Sequence, residues 1–95
     1  MNNLYRKHFL LKGRVQGVGF RTTTEQKARD IGVTGFVKNK LNGSVEVIAE
    51  GTKKELIQLH NFLKQGPSRA KVNKIKTSKK EKIEKRNFLK FKIEY

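Results

Sequence analysis

Apolar positions along the chain change period several times, and each change marks an element. A first apolar run, Phe9, Leu10 and Leu11 between His8 and Lys12, leads into a glycine-rich segment and then a helix-compatible stretch over residues 22–31, which predicts strand, loop and helix. Gly32 is a natural stop for that helix. Residues 35–39 and 44–50 predict two strands, and Asn42-Gly43 between them supplies the positive φ angles of a hairpin turn. The next element opens on Thr52-Lys53-Lys54-Glu55, the capping-box spacing. It brings Leu56, Leu59 and Leu63 to one face at helical period before Gly66-Pro67 ends it. Residues 70–76 predict another strand and residues 78–86 a charged connection. Leu89, Phe91, Ile93 and Tyr95 then alternate with Lys90, Lys92 and Glu94 as in a half-buried final strand.

This order, βαββαβ plus a short final strand, predicts an α+β fold of the ferredoxin-like sandwich type, an antiparallel sheet with two helices on one face. At 95 residues the chain is expected to be one domain, 1–95, with a two-layer core. Many functions use this architecture, so it says little about chemistry.

Composition narrows the chemistry. There is no cysteine, which removes disulfides, thiolate nucleophiles and cysteine-ligated metals, and the two histidines, His8 and His60, lie far apart in sequence. No metal and no cofactor is expected. No run of about 18 apolar residues is present, and the first residues lack the apolar core of a secretory signal, so the expectation is a cytoplasmic protein without a membrane partner. The formal charge of +15 predicts attraction to anions of many kinds, and eleven of the 23 basic residues lie between Arg69 and Lys92. A solvated basic surface explains this as readily as a nucleic-acid patch. Nucleic-acid binding is expected to be non-specific if it occurs, and a monomer is expected.

The glycine-rich segment is the first candidate for chemistry. Gly13, Gly17 and Gly19 between a strand and a helix permit a tight loop whose backbone N–H groups can form an anion nest at the helix N-terminus. Arg21 at its end would add a planar fork able to bond two phosphate oxygens at once. Glycines in such a place also serve tight packing alone. The segment is neither a P-loop nor a dinucleotide fingerprint, because no Gly-Lys-Ser/Thr follows and a third glycine is missing.

The stretch Gly13-Arg14-Val15-Gln16-Gly17-Val18-Gly19-Phe20-Arg21 resembles the first signature of the acylphosphatase family at every motif position. A second stretch is similar to the family's other signature: Gly32-Val33-Thr34-Gly35-Phe36-Val37-Lys38-Asn39, then Asn42-Gly43-Ser44-Val45-Glu46-Val47 and Glu50-Gly51. The resemblance runs from about Phe9 to Tyr95. It implies an acyl phosphate as substrate, inorganic phosphate as product, and no cofactor. It also implies that the loop amides of Gln16, Gly17, Val18, Gly19, Phe20 and Arg21 cradle the phosphate, that the Arg21 side chain binds it, and that Asn39 positions the attacking water. Taken without the resemblance, Arg21 is a surface arginine at a helix start and Asn39 a turn former. Thr22-Thr23-Thr24 stands where the family often holds an aromatic, Phe36 where tryptophan is common, and Lys40 where small or polar residues are frequent; these differences bear on substrate preference.

The chemistry fits the composition. Hydrolysis of an acyl phosphate expels a carboxylate, whose conjugate acid has a pKa of about 4, so no protein general acid is required at neutral pH. The alternative is a basic nucleic-acid-binding module on the same fold. It lacks the RNP-type aromatics on a central strand, and Phe36 alone is no stacking platform. A domain that only senses acyl phosphates is a further alternative.

Overall fold

A computed structural model describes residues 3–95. The elements follow in the order β1 (Leu4–Arg14), α1 (Phe20–Ile31), β2 (Thr34–Asn39), β3 (Val45–Gly51), α2 (Lys53–Gln65), β4 (Lys71–Thr77), β5 (Glu81–Ile83) and β6 (Phe91–Glu94). The sheet runs β4-β1-β3-β2-β6, with β5 pairing β1 beyond the end of β4. Both helices pack on this sheet in the predicted ferredoxin-like arrangement. No helix among the described residues is long and apolar enough to cross a membrane.

Alternation along the strands sends every second residue to the helices. Phe9 and Leu11 of β1, Val45, Val47 and Ala49 of β3, and Val37 of β2 are fully buried there, and they meet Phe20 and Ala28 of α1 and Leu56, Leu59 and Leu63 of α2 in one core. The helices begin differently. In α2 the capping box is complete: Thr52 Oγ1 accepts from the Glu55 amide at 3.2 Å, and Glu55 Oε1 accepts from the Thr52 amide at 2.9 Å. In α1 the N-cap is Gly19, in the left-handed region at φ 76°, with no side-chain cap.

Three sequence expectations change. The sheet is mixed, because β6 pairs with β2 in parallel while all other pairings are antiparallel. The segment expected to be a connection contains β5, whose residues Glu81, Lys82 and Ile83 oppose Arg6, Tyr5 and Leu4. The final alternation is half-buried only at its centre: Phe91 is buried and Ile93 partly so, whereas Leu89 and Tyr95 lie in solvent.

The physical reason lies in residues 84–90, which carry the chain from the β5 edge to the opposite edge. Glu50, on the β3 face away from the helices, is fully buried beneath this segment. Its carboxylate accepts from the Asn87 amide (2.7 Å), Asn87 Nδ2 (2.8 Å), the Phe88 amide (3.2 Å) and Arg6 Nε (3.3 Å). Arg86 donates to the Glu50 carbonyl and to Thr34 Oγ1, and the Phe88 ring meets Phe36 edge-on at 5.8 Å. A crossing anchored in this way delivers β6 to the free edge of β2 with the chain running in the same direction as β2.

Candidate active site

Strands β1 and β2 each pair antiparallel with β3, so they run the same way and their C-terminal ends reach one end of the sheet. The loop that leaves β1 and the asparagine that closes β2 therefore become neighbours, although 18 positions separate Arg21 from Asn39. They share a pocket of about 90 Å³ lined by Val15, Gly17, Gly19, Phe20, Arg21, Thr22 and Asn39. Larger hollows exist, one of them of about 440 Å³ lined by Lys27, Gln58, Asn61, Phe62 and Gln65, but that one holds none of the motif residues.

The loop geometry depends on its glycines. Gly17 and Gly19 have φ of 75° and 76°, a region that side-chain-bearing residues rarely enter, although a Cβ at either would touch nothing. The requirement is conformational, not steric. With Gly19 at the N-cap, the first intrahelical bond is Thr23 N–H to the Gly19 carbonyl at 3.1 Å, which leaves the amides of Phe20, Arg21 and Thr22 without a partner inside the helix. No acidic residue occupies the first turn of α1, so the positive end of the helix dipole is not offset there.

The Gln16 side chain links the first motif to the second. Its Nε2 donates to the Lys40 carbonyl at 2.8 Å and to the Ser44 carbonyl at 2.9 Å, tying the loop to the β2–β3 turn. The turn is closed by Lys40 N–H to the Ser44 carbonyl and by Asn42 Oδ1, which accepts from the Ser44 amide and hydroxyl. Of the residues singled out in the sequence, Gly17, Gly19, Phe20, Arg21 and Asn39 line the pocket together. Gln16 and Val18 do not: the Gln16 side chain braces the turn, and Val18 joins the core.

Two side chains stand out electrostatically. Arg21 has no carboxylate within ion-pair distance among the described residues, and its guanidinium carbon lies 5.2 Å from the centre of the Tyr95 ring. Asn39 Oδ1 is buried without a hydrogen-bond partner among the described residues, a condition shared only with Thr24 Oγ1. Most buried polar atoms are satisfied, so an orphaned acceptor on a residue that lines the pocket is an exception in this fold.

The histidines lie elsewhere. His8 pairs with Glu46 at 2.8 Å and His60 tilts against Phe9; burial first, then the charges of Lys7 and Lys64, lower the pKa of His60. Among the described residues no three His, Asp or Glu side chains converge as metal ligands would. Sequence reasoning missed Val15 and Thr22 as lining residues and Tyr95 as the neighbour of Arg21. Thr22 directly follows the motif, so its position was a signal. Nothing local pointed to Tyr95.

Known proteins identify the family. The family model described as acylphosphatase matches residues 7–93. An acylphosphatase of Pasteurella multocida is 44% identical over 92 residues, covering 97% of this chain and all of that one. The crystal structure of acylphosphatase from Bacillus subtilis superimposes with a TM-score of 0.88 at 33% identity, covering 96% of this chain and 99% of that one. An acylphosphatase from Coxiella burnetii gives 0.87 at 32% identity, with 97% and 94% covered. With Arg21 of the first signature and Asn39 of the second lining one pocket and relatives matched along nearly their whole length, the chain belongs to the acylphosphatase family, hydrolases that act on acyl phosphates.

Proposed function

We propose that Arg21 and Asn39 divide the hydrolysis between them, Arg21 holding the phosphoryl group and Asn39 the water, and that no metal takes part. The observation that carries this reading is the buried, unpartnered Oδ1 of Asn39, a residue that lines the same pocket as Arg21 and the turned glycine loop. A carbonyl oxygen there would accept a hydrogen bond from the water and turn the water's lone pair toward phosphorus, without being a strong base. The Arg21 fork and the N-terminal amides of α1 neutralise the phosphoryl oxygens, which is electrostatic preorganisation with positioning. The water oxygen bonds to phosphorus as the bond to the acyl oxygen breaks. The carboxylate leaves as an anion, and the water proton passes to phosphate or solvent.

Such a site has no group placed to protonate a poor leaving group. It should therefore cleave acetyl phosphate and fail on an alkyl phosphate monoester, whose alkoxide is about as basic as hydroxide, with a conjugate-acid pKa of ~16. Steady-state assays of both, with inorganic phosphate as a competitive inhibitor of the first, test the reading. Comparable turnover of the monoester would require an acid that the proposal lacks.

A further inference from the structure

We propose that Tyr95 is a positioning residue for the reaction, its ring holding the Arg21 guanidinium where the fork can meet a phosphoryl group. The inference rests on the reading of Arg21 as the phosphate ligand. Strand β6 pairs in parallel with β2, and the register sets Glu94 opposite Lys38, so the next residue, Tyr95, comes level with Asn39 at the active end of the sheet. There the ring centre lies 5.2 Å from the Arg21 guanidinium carbon, within the range of a cation–π contact.

The choice of partner matters for a phosphate-binding arginine. A carboxylate would restrain the side chain too, but it would occupy the N–H fork and cancel the charge that the substrate needs. A ring face orients the weakly hydrated guanidinium and does neither. Among the described residues Arg21 has no ion pair and no side-chain hydrogen bond, so this ring is the one restraint seen on its head group. Tyr95 itself is 92% exposed, so its ring contributes little to the core, and a purely structural role would leave it dispensable.

The test compares Tyr95→Leu and Tyr95→Phe with the wild type and repeats Tyr95→Leu in an Arg21→Ala background. It measures inorganic phosphate affinity by calorimetry, kcat and KM on acetyl phosphate, and the melting temperature. An exposed cation–π contact predicts that Tyr95→Leu weakens phosphate binding and lowers kcat/KM by about two- to five-fold. Melting is expected to be unchanged, Tyr95→Phe to restore both functional constants, and Tyr95→Leu to add nothing once Arg21 is gone. If Arg21→Ala abolishes phosphate binding while Tyr95→Leu binds like wild type, the ring does not position the arginine. An impairment that persists in the Arg21→Ala background, or that Phe fails to rescue, refutes the cation–π account. If Arg21→Ala itself keeps full phosphate affinity, the arginine's role is wrong and the inference falls with it.

Discussion

Replacing Asn39 by Ala tests the division of labour most sharply, because structure and chemistry predict opposite effects on stability and activity. In the folded protein Asn39 Oδ1 makes no hydrogen bond to the described residues. Removing it breaks no protein bond, and a buried unsatisfied acceptor costs about 1–3 kcal/mol. The side chain borders a pocket, so truncation enlarges an existing space more than it opens a void in the core. Melting should therefore stay level or rise. A gain of 1 kcal/mol corresponds to roughly 4–8 °C for a domain of this size. Turnover should move the other way. Losing one well-placed transition-state hydrogen bond costs about 3 kcal/mol, so kcat should fall by two or more orders of magnitude. Phosphate affinity should change by no more than a few fold, because Asn39 is proposed to touch the water. Arg21→Ala is the contrast: Arg21 meets phosphate in both ground and transition states, so both constants should suffer, and Arg21→Lys should also be costly because a point charge cannot replace the fork. The assays are steady-state kinetics on acetyl phosphate, calorimetry with inorganic phosphate, and thermal melts. A near-normal kcat for Asn39→Ala beside a folded but dead Arg21→Ala would mean that something else holds the water. A large drop in melting temperature would mean that the amide is structural.

Four further outcomes are expected. Exhaustive chelation should leave turnover nearly unchanged; loss of activity restored by one divalent ion would overturn the metal-free reading. Glu50→Gln should destabilise the fold by on the order of 3 kcal/mol in denaturant titrations, because it exchanges one acceptor of a fully buried carboxylate for an amide that faces donors. The folded-state pKa of His60 is lowered, so its contribution to stability is present above the unfolded value near 6.5 and is lost as pH falls through the lowered one; His60→Gln should flatten melting temperature against pH below about 6.5. Any RNA binding should fall steeply with salt, because Lys79, Lys80, Lys82 and Lys85 are exposed and would act by counterion release; tight, sequence-dependent binding at ~0.15 M salt would point to a dedicated interface.

The second signature illustrates how motif and fold divide the work. Glu50 sits in it, yet its carboxylate lies away from the pocket and anchors Asn87 and Phe88, so this part of the motif serves the crossing of residues 84–90. Gly35 has a similar explanation. A Cβ there would meet the Ile48 carbonyl oxygen at 1.9 Å, so the close approach of β2 to β3 requires glycine. Gln16 belongs to the glycine loop by sequence, and its side chain bridges that loop to the turn that follows Asn39.

What the chain could determine by itself was local. A capping box, a leucine face of helical period and an Asn-Gly turn each act over a few residues, so α2 and the β2–β3 hairpin were legible, as was the glycine loop that demands positive φ. Two long motifs carried the resemblance and with it the candidate residues Arg21 and Asn39. The direction of β6, the strand hidden in the charged connection, and the neighbour of Arg21 were not legible. Each depends on a partner far away in sequence: β5 pairs with Leu4, Tyr5 and Arg6, and β6 pairs with β2 after a crossing that Glu50 anchors. Alternation reports that a strand has two faces, and it contains no information about which edge the strand joins or in which direction. That is why Tyr95, read as half-buried, emerges in solvent beside the arginine, where tertiary pairing alone could bring it.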